Sequence, residues 1–179
     1  GRTGDGALAA EPPGEEPADG FGYDPRDPVL ADDPASECRH DLLCYTSERF
    51  REPFHLGGPV GALLFAASSA AVTDFTATLV AFDANGAGHT LWQGVLCSRG
   101  EPGRTRRLEP ELGAACARIG AGGRLRHEVS SSAFPRWDRP SHTDVEPGAA
   151  AEHELAPAHQ GVFHDRERAS RLRLWLLPG

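Results

Sequence analysis

The sequence predicts an all-β sandwich, and three observations carry that reading. Gly and Pro number 21 and 15 of the 179 residues, about a fifth of the chain against a usual share of about 12%, which disfavours long helices and favours short elements joined by turns. Several segments alternate apolar and polar residues with a period of two, the side-chain repeat of a strand. Turn signals separate these segments at close spacing, as in sandwiches and barrels. A chain of this length makes one domain and can hide roughly 70% of its unfolded surface.

The elements follow in chain order. Residues 1–20 read as a flexible, acidic, Pro/Gly-rich lead-in, because EPPGEEPADG (11–20) has no periodicity and little apolar content. The sandwich is expected over residues 21–179. GYDPRDPV (22–29) is turn-like: Asp24 and Asp27 each precede a proline, which holds them extended. LLCYT (42–46) and GPVGALLFAAS (58–68) are apolar runs rich in strand formers, the second entered through Gly-Gly-Pro. DFTATLVAF (74–82) sets Phe75, Ala77, Leu79 and Ala81 against Thr76, Thr78, Val80 and Phe82, a strand buried in a two-layer sandwich. DANGAG (83–88) reads as a hairpin turn leading to the return strand HTLWQGVLCSR (89–99). ELGAACARIG (111–120) is the one segment that reads as a short helix. GGRLRHEVSSS (122–132) sets Leu125, His127 and Val129 against Arg124, Arg126 and Glu128, a half-exposed strand with its arginines outward. SRLRLWLLP (170–178) repeats that device.

Composition excludes several functions. A net charge of −8, with all 18 basic residues Arg, argues against nucleic acid, whose phosphates need clustered positive charge. A chain without Lys has no P-loop, and there is no G-x-S-x-G, no H-E-x-x-H and no dinucleotide fingerprint. No run approaches the 18 apolar residues of a membrane span, and no signal peptide is visible. A cytoplasmic location is expected, with secretion left open. The chain starts at Gly1 and holds no Met, which predicts a segment of a longer or processed polypeptide.

The reactive side chains are expected to be structural. Cys38, Cys44, Cys97 and Cys116 form no C-x-x-C pair and read as buried reduced thiols, with Cys38–Cys44 and Cys97–Cys116 bridges open if the protein is exported. His142, His153, His159 and His164 gather near Asp144 and Asp165. Such side chains ligate zinc, but their spacing matches no compact motif, so solvated loop histidines are expected and no metal. Ser68–Ser69 and Ser130–Ser132 fall at strand ends, where Ser is ordinary. FPRWDR (134–139) reads as a corner in which Arg136 and Arg139 pair with Asp138 or with a neighbouring domain; stacking on a ligand is the other option. Trp92 and Trp175 lie on strand patterns and read as core or interface.

In their order along the chain, YDPRDPV (23–29), DLLCYTSE (41–48), GPV (58–60), ASSAAVTDFTATLV (67–80), GVL (94–96), GGRLRHEVSSSAFPRWDR (122–139) and FHDRERASRLRLWLLP (163–178) resemble the C-terminal domain of the CocE/NonD family of serine hydrolases, the cocaine esterase/X-Pro dipeptidyl-peptidase type. The resemblance covers about residues 20–178. It implies a jelly-roll β-sandwich, galactose-binding-like, lying after an α/β-hydrolase domain that carries the Ser-His-Asp triad and the dipeptidyl-peptidase or esterase activity. No catalytic residue maps onto this chain. The implied role is to pack on that upstream domain and help shape its active site, with no cofactor; self-association to a homo-oligomer stays open. Asp24, Asp74, Phe75, Phe134, Arg136, Asp138 and Arg139 lie in these blocks and are expected to make interdomain or structural contacts. Two regions depart from the pattern. The loop 30–40 is short, and only ELGAACARIGAG stands where relatives have a strand, so a sandwich strand is expected to be missing or shortened. The family's Gly-His-Arg-like turn is Gly122-Gly123-Arg124 here. The competing readings are a carbohydrate-binding sandwich that stacks sugar on Trp137 or Trp175, and a metal enzyme built on the histidine-rich loop.

Overall fold

The computed structural model describes residues 5–31, 39–145 and 148–177. Among the described residues twelve strands follow in chain order: β1 (Asp5–Ala7), β2 (Asp19–Tyr23), β3 (Leu43–Thr46), β4 (Phe54–Ser68), β5 (Val72–Phe82), β6 (Gly88–Arg99), β7 (Arg106–Leu108), β8 (Glu111–Ile119), β9 (Arg124–Ser130), β10 (Ala158–Phe163), β11 (Arg171–Arg173) and β12 (Leu176–Leu177). They form two sheets. One is five-stranded, in the order β1-β3-β9-β5-β6. The other is built around the long β4, which pairs with β7 and β8 along one edge and with β10, β11 and β12 along the other, while β2 lies outside β10. The chain is a β-sandwich, as its alternation predicts, and of the jelly-roll kind that the family resemblance implies.

The core lies between the sheets and has two parts. Phe75 on β5, Leu43 on β3 and Val129 on β9 meet Phe21, Tyr23, Leu64 and Val162 of the opposite sheet. Further along, Ala77, Leu79 and Leu125 meet Leu56, Val60, Ala62 and Ile119. The inward set on β5 is the one read from its period of two, and Phe75, Ala77 and Leu79 are at most 1% exposed. The β5–β6 hairpin closes at Asp83–Gly86. The Asp83 carboxylate accepts the amides of Asn85 and Ala87, both at 2.8 Å. Those bonds, that of Ala87 foremost, hold its carboxyl below the usual range. Gly86 takes φ +92°, a conformation glycine adopts without steric cost.

The structure departs from the sequence reading in several places. The segment expected as a helix is β8, and it pairs antiparallel with β4 from Phe54↔Ile119 to Gly61↔Glu111. Its short apolar run carries no helical caps, and the long edge of β4 supplies partners for its backbone groups. The strand expected to be missing or shortened is therefore present. The expected boundary between lead-in and sandwich falls inside β2, and β1 runs parallel to β3 beside Cys44–Thr46. Strand β9 does not turn all its arginines to solvent, because Arg126 is buried. Its Nε donates to Thr46 Oγ1 at 3.0 Å and its guanidinium lies 4.6 Å from the Phe82 ring centre. The C-terminal strand is split into β11 and β12, with Leu176 and Leu177 exposed. Of the thiols, Cys44 is buried, whereas Cys97 and Cys116 are exposed, and no disulfide joins these three to one another. Cys38 lies outside the described residues. Among the described residues no helix is long and apolar enough to cross a membrane.

Candidate functional site

The candidate site is the corner where the Asp-Pro turns, the segment after β9 and the short 3-10 turn Glu152–Glu154 converge. Each Asp-Pro step pins an extended residue. The Asp24 carboxylate accepts the Arg26 amide at 3.0 Å, and the Asp24 carbonyl accepts the Asp27 amide at 3.0 Å. The turn is then braced from outside by arginines. Arg26 donates to the Leu155 carbonyl at 2.6 Å and the Glu152 carbonyl at 3.2 Å. Arg139 donates to the Pro25 carbonyl at 3.0 Å and reaches the Glu152 carboxylate at 3.4 Å. Arg39 grips Asp41 through Nε and Nη2 and donates to the Asp27 carbonyl at 2.7 Å. A forked guanidinium suits this work, since it bridges several carbonyls at once.

The next stretch of chain runs beside the segment after β9. The Phe134 amide donates to the Val29 carbonyl and the Ala31 amide to the Phe134 carbonyl, both at 2.9 Å. The Phe134–Pro135 bond is cis. Leu30 and Phe134 stand side by side at the surface, 49% and 37% exposed. Arg136 is exposed, its guanidinium 5.2 Å from the Trp137 ring centre. Asp138 is exposed and accepts the Arg139 amide. Asp74 on β5 is half-buried, and its carboxyl is raised above the usual range by that burial, with the Asp138 charge adding to the effect. Of the seven expected contact residues, Asp24, Phe134, Arg136, Asp138 and Arg139 form this corner. Asp74 borders it through Asp138. Phe75, its neighbour on β5, faces the core instead.

Behind the corner, His142 takes φ 62° and is buried. Its Nδ1 donates to the Ala156 carbonyl at 2.8 Å, which leaves Nε2 to accept the Thr73 hydroxyl at 3.0 Å. Gln160 donates to the same hydroxyl oxygen, and the His142 ring meets Tyr23 edge-on at 5.4 Å. Burial lowers the His142 pKa and raises the Tyr23 pKa to about 12. The expectation of solvated loop histidines thus fails for His142, because the loop folds back over the sandwich end. His164 is also drawn in: its Nε2 lies 3.0 Å from Asp19, which accepts the Tyr45 hydroxyl at 3.1 Å. His153 and His159 remain exposed. Among the described residues no three His, Cys, Asp or Glu side chains are placed to hold a metal. The Asp19–Tyr45–His164 cluster escaped sequence reasoning because its members lie on three different strands or their ends, without a shared spacing.

The serines act on backbone. Ser130 Oγ donates to the Asp41 carbonyl and Ser132 Oγ to the Val29 carbonyl. Ser68 and Ser69 accept the amides of Ala70 and His159. Among the described residues none of these serines is hydrogen-bonded to a histidine side chain, the arrangement a serine nucleophile needs. The outer face of β5 opens into a groove of about 500 Å³ lined by Leu30, Leu42, Thr76, Thr78, Gln93 and Arg126, among others. Gln93 ties its wall together by donating to Thr78 Oγ1 at 3.0 Å.

The charge pairs of the corner are mostly solvent-facing, so each contributes little on its own. Arg139→Ala is expected to cost the isolated chain about 1 kcal/mol, chiefly through the Pro25 carbonyl left without its donor. Urea unfolding at neutral pH measures it, and a loss above about 3 kcal/mol would show that Arg139 holds far more than this turn.

Fold and site together define a class: a jelly-roll β-sandwich domain whose strand-end serines bond to backbone. The chain belongs to the family of X-Pro dipeptidyl-peptidase C-terminal non-catalytic domains, whose model matches residues 1–173. It is 34% identical over 166 residues to the cocaine esterase of Rhodococcus sp. (strain MB1 Bresler), covering 79% of this chain and 29% of that protein. An aminopeptidase from a marine sediment Thaumarchaeota archaeon superposes with a TM-score of 0.86 at 20% identity, over 97% of this chain and 35% of that one. An α-amino acid ester hydrolase superposes with a TM-score of 0.83 at 21% identity, over 93% and 34%. The chain thus spans about a third of the length of these relatives.

Proposed function

We propose that this chain is the accessory sandwich of a CocE/NonD-type serine hydrolase, packed on an upstream α/β-hydrolase domain and helping to shape its active site. The observation that carries the reading is the share of length: the chain matches the non-catalytic domain family throughout, yet spans about a third of its relatives. The bond-cleaving chemistry, on esters, amides or X-Pro peptides, belongs to the remainder. The braced Asp-Pro corner supports the reading, because a rigid turn can position a neighbouring domain without ordering cost on contact. The rest of the sandwich is a scaffold that fixes this corner.

The test is kinetic. The purified 179-residue chain, offered activated esters and X-Pro amides, is expected to show no turnover above buffer. The same chain joined to the hydrolase domain that precedes it is expected to hydrolyse one of these classes. Deletion of the sandwich from that longer protein is expected to raise KM or abolish the activity. Turnover by the isolated chain that survives purification and is blocked by a serine-directed inhibitor would overturn the reading.

A further inference from the structure

We infer that the rim formed by Leu30, Phe134, Pro135 and Arg136 is the face on which the preceding hydrolase domain docks, an inference that rests on the packing proposed above. Among the described residues, large apolar side chains are exposed in two places: Leu30 with Phe134, and Trp175 with Leu176 and Leu177. These lie toward opposite ends of the sandwich. The Trp175 patch sits over Gly57 and Gly58 of β4, beside Leu56 of the second core cluster. The Leu30 rim borders the groove with Leu42 and Ser132, next to Leu43 of the first cluster.

Three observations select the rim for the preceding domain. The described chain enters the sheet at this same end: β1 runs parallel to β3 with Asp5 beside Cys44, so it is entered from the Leu43 end of that strand. The rim is also held rigid. Its two strands of chain exchange backbone bonds at Val29, Ala31 and Phe134, Ser132 ties Val29, and Arg26, Arg39 and Arg139 clamp the turn before it. Exposed apolar side chains on a fixed backbone bind with little ordering cost. Finally, the exposed Arg136 guanidinium lies over Trp137 and has no carboxylate partner among the described residues. The complementary surface is therefore apolar, with a carboxylate facing Arg136. The Trp175 patch lies toward the other end of the sandwich, on β12 and the residues just before it.

Hydrogen–deuterium exchange on the isolated chain and on the chain joined to its hydrolase domain tests the assignment. Segments 29–31 and 134–137 are expected to exchange about tenfold or more slowly in the joined protein. Leu30→Glu and Phe134→Glu are expected to remove that protection, and Trp175→Glu to leave it. Each variant is first checked as the isolated chain, whose melting temperature should move by no more than about 2 °C for a surface change. If Phe134→Glu unfolds, Leu30→Glu carries the test. Protection confined to residues 175–177 would overturn the assignment while leaving the packing proposal standing. Protection nowhere on the sandwich would overturn both. Rim protection in the isolated chain that grows with its concentration would assign the rim to a second copy and overturn the inference.

Discussion

Phe75→Ala is expected to lower the unfolding free energy by about 3–5 kcal/mol. Phe75 is 1% exposed and sits on β5, between β9 and β6, where it meets Tyr23, Leu64 and Val162 across the sandwich. Removing the ring loses its transfer free energy and leaves a void between two hydrogen-bonded sheets. Sheets do not collapse freely onto a gap, so the cost falls at the upper end of the range for such truncations. A domain of this size has only about 5–15 kcal/mol in hand, so the variant should be partly unfolded at 37 °C. Urea unfolding measures the effect, and a loss below about 1 kcal/mol would show that the two halves of the core are not coupled through this ring. Phe75, expected to make interdomain or structural contacts, packs within the core of this chain.

Stability is expected to decline by on the order of 3 kcal/mol between about pH 6.5 and pH 4 through His127 alone. His127 faces the core between Leu125 and Val129, 4% exposed. Its Nδ1 donates to the Thr78 carbonyl at 3.2 Å, while Nε2 finds no partner among the described residues. Burial pushes its pKa down to about 4 from 6.5. Below pH 6.5 the unfolded chain therefore takes up a proton that the folded chain refuses. Stability is fully present above that range and is lost as pH falls through the folded value. His142, lowered by burial as well, adds in the same direction. Thermal or urea unfolding across this range reads the slope. His127→Leu is expected to flatten most of it, because the apolar replacement has nothing to titrate. An unchanged slope in that variant would assign the acid sensitivity to other groups.

How far the fold was legible depends on the physical range of each signal. β5 and β6 were readable because alternation and an Asn-Gly turn act over neighbouring residues. β8 was not: ELGAACARIG carries small side chains that suit helix or strand, and only the open edge of β4, some fifty residues earlier, settles its state. Arg126 was read outward because alternation says which face a side chain takes, not what lies over that face. Thr76 and Thr78 are buried on the outer side of the sheet for the same reason, with the 29–31 segment, Ser132 and Gln93 beside them.

The corner divides along the same line. Its local parts were visible as YDPRDP and FPRWDR: prolines that hold aspartates extended, and arginines with carboxylates close by. Their meeting was not, since Arg139 reaches the carbonyl of Pro25 across more than a hundred residues, and Arg26 reaches Leu155 in the same way. Composition, period and the ordered blocks were enough to establish a β-sandwich of the non-catalytic family without a nucleophile motif, because those properties are local or additive along the chain. Which histidines are buried, which strand covers β4, and which apolar side chains are left facing outward belong to the tertiary structure alone. They depend on what the chain places opposite each residue, and no short-range pattern records that.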